Sequence, residues 1–196
     1  MKIYRMIRVP LYLALAALVI VFVRELAEIR ALRIFIGGLM IFYGAEEVIL
    51  TAVRHAKHYD INLLYWNVIE IAIGVTMIAF VKTGATDMTY AAVCVAWAIW
   101  SILREARELA EVTEELKHKE LPICRVVAFA NMIESLVVIV FSLMLLARPG
   151  EHHAKIHLYL LAVELSTKVL FPLIDHIAER AAKKKKAAKA KVKKAE

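Results

Sequence analysis

Apolar residues gather along this chain in six stretches, each close to the roughly 17 to 25 residues that a helix needs to cross a bilayer. They fall at 7–23, 32–53, 61–81, 88–103, 122–147 and 156–177. The first and fourth hold no charge between their flanks and are short. The other four each carry an acid, which costs about 2–3 kcal/mol at a helix centre and is offset by many Leu, Ile, Val and Phe. The last is the least apolar, because it holds both Glu164 and Lys168. Runs such as 11–23 and 91–100 lack the polar stripe that a water-facing helix needs. The pattern predicts an all-α fold, a six-span helical membrane bundle over residues 1–178, followed by a Lys/Ala-rich tail at 179–196.

Composition agrees. The 196 residues are 61% hydrophobic, with a formal charge of +7 that comes largely from the tail beyond Arg180, and the mean hydropathy is +0.63. Basic residues also set an orientation. Lys2, Arg5 and Arg8, then Arg54 and Lys57, the 104–119 link and the tail all fall on one side. Arg24, Arg30, Arg33, Lys82, Arg148 and Lys155 fall on the other and are fewer, so both termini are expected in the cytoplasm. Lys2, Arg5 and Arg8 before an apolar run imitate a signal peptide, but no small-residue cleavage site follows Val23, and a retained first span is expected. Cys94 and Cys124 are placed in different spans, which argues against a disulfide framework or thiolate metal site.

The link at 104–119 is rich in helix formers, with Leu109, Val112 and Leu116 on one face, and is expected to extend the fourth helix or lie on the membrane surface. Pro122 restarts the chain at a helix N-terminus. Short turns at Gly84 and at Pro149-Gly150 predict that the third and fourth spans, and the fifth and sixth, are antiparallel hairpins. Asn67-Val-Ile-Glu70 and Asn131-Met-Ile-Glu134 repeat an Asn-x-x-Glu pattern at matching points, and residues three apart share a helix face. The even spans add Glu46 and Glu47, Glu105 and Glu164. This reads as three parallel two-helix hairpin repeats, the first lacking the Asn-x-x-Glu.

Three segments, Ile36-Gly-Gly-Leu-Met-Ile-Phe-Tyr-Gly44, Asn67-Val-Ile-Glu-Ile-Ala-Ile-Gly74, and Asn131-Met-Ile-Glu134 through Arg148-Pro-Gly150 to Leu160-Leu-Ala-Val-Glu164, resemble the HdeD-like family. These are bacterial inner-membrane proteins built from short two-helix repeats and linked to acid resistance. The resemblance runs up to Ile177 and rests mainly on glycine and apolar patterning. It implies a non-enzymatic, multi-pass inner-membrane protein of the acid or envelope stress response, and it carries no catalytic residues.

The candidate polar site comprises Glu46, Glu47, Asn67, Glu70, Asn131, Glu134, Glu164 and Lys168. Carboxyls in a bilayer must be protonated, paired or hydrated. On one reading they line a path for protons or a cation, as in a small transporter or channel. On the other they are interhelical hydrogen-bond ties. Lys168 follows Glu164 at i, i+4, which favours a same-helix ion pair. His152, His153 and His157 cluster at the external start of the last span, where they would gain charge as the outside acidifies, and His153 with His157 could share a metal. Gly37, Gly38, Gly44 and Gly74 read as close-packing positions, Gly37 and Gly44 on one face. Trp66 and Trp100 read as interfacial anchors, and Pro172 as a kink.

The lysines at 183–186, 189, 191, 193 and 194 attract anionic lipids at about 1 kcal/mol per charge near the surface. No aromatic residue interleaves them, so a nucleic-acid partner is not expected. A homo-oligomer or protein partner is left open. No P-loop, GxSxG, HExxH or CxxC motif is present, and histidines are not paired within the spans for haem, so neither enzyme activity nor a cofactor is expected.

Overall fold

A computed structural model describes residues 2–54, 61–83, 89–118 and 121–192. Among these the chain is all-helical: α1 (Lys2–Val21), a one-turn α2 (Val23–Leu26), α3 (Ile29–Arg54), α4 (Ile61–Thr83), α5 (Tyr90–His118), α6 (Pro122–Ala147) and α7 (Glu151–Val192). Each predicted span has its helix. The outer two differ from expectation: α1 stops at Val21 and a separate one-turn helix follows to Leu26. The link at 104–119 continues α5 to His118, as one of its two readings had it. Pro122 stands at the start of α6, where its missing N–H costs nothing. The tail is not a loose appendage, since α7 passes through Pro172 and continues to Val192. Residues 193–196, with Lys193 and Lys194, and the Gly84 turn lie outside the described residues.

By length and composition, two described helices can cross a membrane, Pro122–Ala147 and Glu151–Ala182, while Arg8–Val21 and Leu64–Ala79 are apolar but shorter. Charges shorten the other apolar stretches: Arg30 and Arg33 open α3, with Glu46 and Glu47 towards its far end, and α5 turns polar at Arg104.

Packing departs from the hairpin expectation. The extensive contacts join α3 to α4, α5 to α6 and α1 to α7, with α6 also against α7; among the described residues α4 and α5 do not pack along one another. The Pro149-Gly150 turn does make an antiparallel pair. The close backbone packing of α4 is with α3, because both carry small residues where they cross, while α4 meets α5 through long side chains, Glu70 with Trp100 and Asn67 with Arg107. A Cβ built on Gly74 would stand 2.5 Å from the Gly37 carbonyl oxygen, and one on Gly44 would stand 2.8 Å from the Asn67 carbonyl oxygen. Gly37 and Gly44 thus share the α4-facing side, whereas a Cβ on Gly38 meets nothing. The Tyr90 hydroxyl donates to the Ala27 carbonyl across the opposite side of the bundle (2.9 Å). That end, with the Pro149-Gly150 turn, is called the turn end, and the end where α7 leaves is the tail end.

Contacts at a constant offset of sixty positions show that α5 and α7 run in the same direction: Trp97 faces His157, Arg104 binds Glu164 and Lys168 binds Glu108. The Tyr43 ring against Trp100 brings α3 alongside them. Helices α3, α5 and α7 therefore surround a common axis, with α4, α6 and α1 outside. The core near the turn end is apolar, built on Leu32, Ile36, Met77, Val93, Leu145 and Leu158. Towards the tail end it becomes polar.

Candidate functional site

The polar core is organised by Arg104, a residue that falls in the link on the sequence reading. It is 8% exposed. Its Nη2 donates to Glu105 (2.8 Å) and to Glu164 of α7. The guanidinium carbon lies 4.5 Å from the Tyr43 ring centre and 4.8 Å from that of Trp100, so two aromatic faces share the cation. Lys168 stands below and its ammonium reaches Glu108 at 2.5 Å, with Glu164 farther at 3.8 Å. The same-helix pair expected from spacing is therefore the secondary contact: Glu108, from α5, takes the ammonium because the parallel helices bring it level. Asn131 of α6 donates to the same Glu108 (3.5 Å). Burial opposes ionisation of Glu108, but the charge and hydrogen bond of Lys168 outweigh it and hold this carboxyl below its ordinary value.

The remaining acids are each tied across a different helix pair. Glu46 of α3 accepts from Tyr12 of α1 and pairs with Arg8 at 2.9 Å. Glu70 of α4 accepts the indole N–H of Trp100 of α5. Glu134 of α6 accepts the hydroxyl of Thr167 of α7 at 2.6 Å. Asn67 is fully buried and accepts from Arg107 of α5 (3.5 Å). Glu47 is half-buried, and its charge, after burial itself, helps to hold the Glu111 carboxyl above its ordinary value. The structure therefore brings Glu164, Lys168 and Asn131 into one network with Arg104, Glu105 and Glu108. It leaves Glu46 on the α1 side and Glu134 on the α6–α7 seam, while Glu70 is joined through the Trp100 ring.

Trp100 is thus not a free interfacial anchor, since its nitrogen serves Glu70 and its face serves Arg104. Trp66 is exposed, as an anchor would be. The histidines also separate. His152 is exposed and its ring lies edge-on to His153. His157 is 3% exposed and turns into the bundle, where Nε2 lies 3.2 Å from the Ser142 hydroxyl and 3.3 Å from that of Ser101. Its ring also lies tilted against Trp97, with centroids 4.6 Å apart. Ser142 already donates to the Val138 carbonyl, so its oxygen is left to accept from the imidazole. Among the described residues no group of three or more His, Cys, Asp or Glu is gathered for a metal.

Some polar atoms in this core have no hydrogen-bond partner: Nε and Nη1 of Arg104, Nδ2 of Asn67, Oε2 of Glu134 and Nδ1 of His157. No family model, curated protein or solved structure matches the chain. Arg104, Trp100, Thr167 and the serines around His157 were not singled out by sequence pattern as site residues. The one signal that points to Arg104 is its place sixty positions before Glu164, at the same level on a parallel helix.

Proposed function

We propose that this chain is a non-enzymatic integral membrane protein of the bacterial inner membrane, with six spans and both termini in the cytoplasm, acting in acid or envelope stress as the HdeD-like family does. Its intramembrane acids serve as ties between helices. The single observation that carries this reading is the inverted distribution of polarity. Glu46, Asn67, Glu70, Arg104, Glu105, His157 and Glu164 are buried, while Val21, Tyr65, Val126, Val163 and Ile177 are more than half exposed. A water-soluble domain places these classes the other way round, because each exposed apolar side chain forgoes burial and each buried charge must be paired. A bilayer supplies an apolar solvent for the outward face and leaves the charges no option but one another. The resemblance motifs fit the same account, since 36–44 and 67–74 are each other's packing surface through Gly37, Gly44 and Gly74.

A second reading, a small proton- or cation-coupled transporter or channel, draws on the unpartnered atoms of Arg104, Asn67 and Glu134. The ties favour the first, because Glu46, Glu70 and Glu134 hold separate helix seams and two fixed cations already occupy the centre. The two separate in proteoliposomes carrying a pH-sensitive dye. The wild-type chain should give the proton and cation leak of empty vesicles, and E134Q and E164Q should leave it unchanged. Flux well above empty vesicles that E164Q abolishes would establish the transporter instead.

A further inference from the structure

We propose that Arg33, at the turn end of α3, is a binding site for a phosphate group, supplied by the headgroup of a phospholipid in the outer leaflet or by free phosphate. The inference rests on the membrane reading for the lipid source and on Arg33 alone for the phosphate chemistry. Arg33 is 8% exposed. Its Nε and Nη2 are buried and have no hydrogen-bond partner. Those two nitrogens form one edge of the guanidinium, the edge whose parallel N–H bonds take two oxygens of a single oxyanion. The contrast with Arg104 is informative: that buried arginine spends Nη2 on two carboxylates, whereas Arg33 has no ion pair with any described carboxylate.

The surroundings raise the need for an anion. The same-face neighbours of Arg33 one turn away are Ile29 and Arg30 before it and Ile36 and Gly37 after it, so its own helix offers no acid and a second cation. It stands in the first turns of a 26-residue helix with no acid in its first turn, where the helix dipole adds positive potential. Glu25 and Glu28, the nearest acids along the chain, are exposed, and Glu151 at the same end is engaged by Lys155 at 2.5 Å. A buried guanidinium left unpaired is costly. An oxyanion hydrogen-bonded along that unpartnered edge would remove that cost. In the proposed orientation the turn end lies at the outer headgroup layer, where phosphates are the abundant oxyanions.

The test uses the full chain in maltoside micelles free of phosphate, titrated separately with phosphatidylglycerol, with diacylglycerol, which lacks the phosphate, and with inorganic phosphate. Binding is read as a rise in the thermal unfolding midpoint. Phosphatidylglycerol should stabilise the wild type and diacylglycerol should not, and R33Q should weaken the response about tenfold, the worth of a charge-assisted hydrogen bond. R33K keeps the charge but loses the two-pronged edge, so it too should bind more weakly than wild type and serves if R33Q does not fold. A response to inorganic phosphate but not to the lipid supports the site and assigns it to free phosphate. No response of the wild type to either phosphate compound, or equal responses in wild type and variants, overturns the proposal. If the chain instead proves monodisperse without detergent, the membrane reading fails, and the inorganic phosphate arm still judges Arg33 in plain buffer.

Discussion

Arg104→Met should destabilise the protein by about 3–5 kcal/mol, the usual cost of leaving a buried partner charge uncompensated. The reason is local. One nitrogen of Arg104 serves both Glu105 and Glu164, which are 1% and 4% exposed, and no other cation is as close to Glu105 among the described contacts. The aromatic stack on Tyr43 and Trp100 is lost at the same time. Replacing the partner as well, in R104M/E164L, should recover part of the loss, because an apolar pair avoids the desolvation cost of the ions. The exposed pair of Lys117 with Glu114 sets the scale for comparison. Both side chains are 63% exposed, and K117A should change stability by less than about 1 kcal/mol. Unfolding by SDS in mixed micelles measures all three variants, and an R104M curve that overlays the wild type would remove Arg104 from the centre of the account.

Gly74→Ala should be the second most damaging change. The added Cβ would lie 2.5 Å from the Gly37 carbonyl oxygen, 2.9 Å from Ile41 Cγ1 and 3.0 Å from Met40 Cβ. The nearest atom is backbone, so the relief must come from moving α4 off α3, and overpacking of this kind costs about 1–3 kcal/mol. Gly38→Ala is the control. Its Cβ meets nothing within 4 Å, and the substitution should be neutral or stabilising by up to about 1 kcal/mol through helix propensity alone. The same SDS titration reads the pair. Equal effects at Gly74 and Gly38 would mean that the α3–α4 crossing does not depend on its glycines.

How much of this was legible in the sequence differs from residue to residue. The helices were legible, because six apolar stretches fix six long helices whichever solvent surrounds them. The glycine face was legible too, since Gly37 and Gly44 recur two turns apart. The acids were recognisable as unusual, yet their partners were not, because a partner depends on which helices lie side by side. Spacing offers Lys168 only Glu164, but parallel packing of α5 and α7 offers it Glu108 at a shorter distance. Arg104 was hidden by its neighbours. It opens a run of alternating acids and bases, and such a run ordinarily marks a solvated face. His157 was grouped with His152 and His153 by proximity along the chain, and its partners Ser101 and Ser142 stayed hidden because they depend on which helices pack against α7. The hairpin assignment held for α6 and α7 but missed the close partner of α4 for a similar reason. A short turn makes two helices sequential neighbours, whereas small residues decided that α4 packs on α3.

The central claim is that the apolar outer surface of this bundle is solvated by lipid, which makes buried charge pairs its internal scaffold. Extraction of membranes from cells expressing the full chain tests it most directly, using sodium carbonate at alkaline pH, which strips peripheral proteins but not spanning ones. The chain should stay in the membrane pellet after the wash and enter solution only with detergent; recovery of folded, monodisperse protein in the carbonate supernatant would contradict the account.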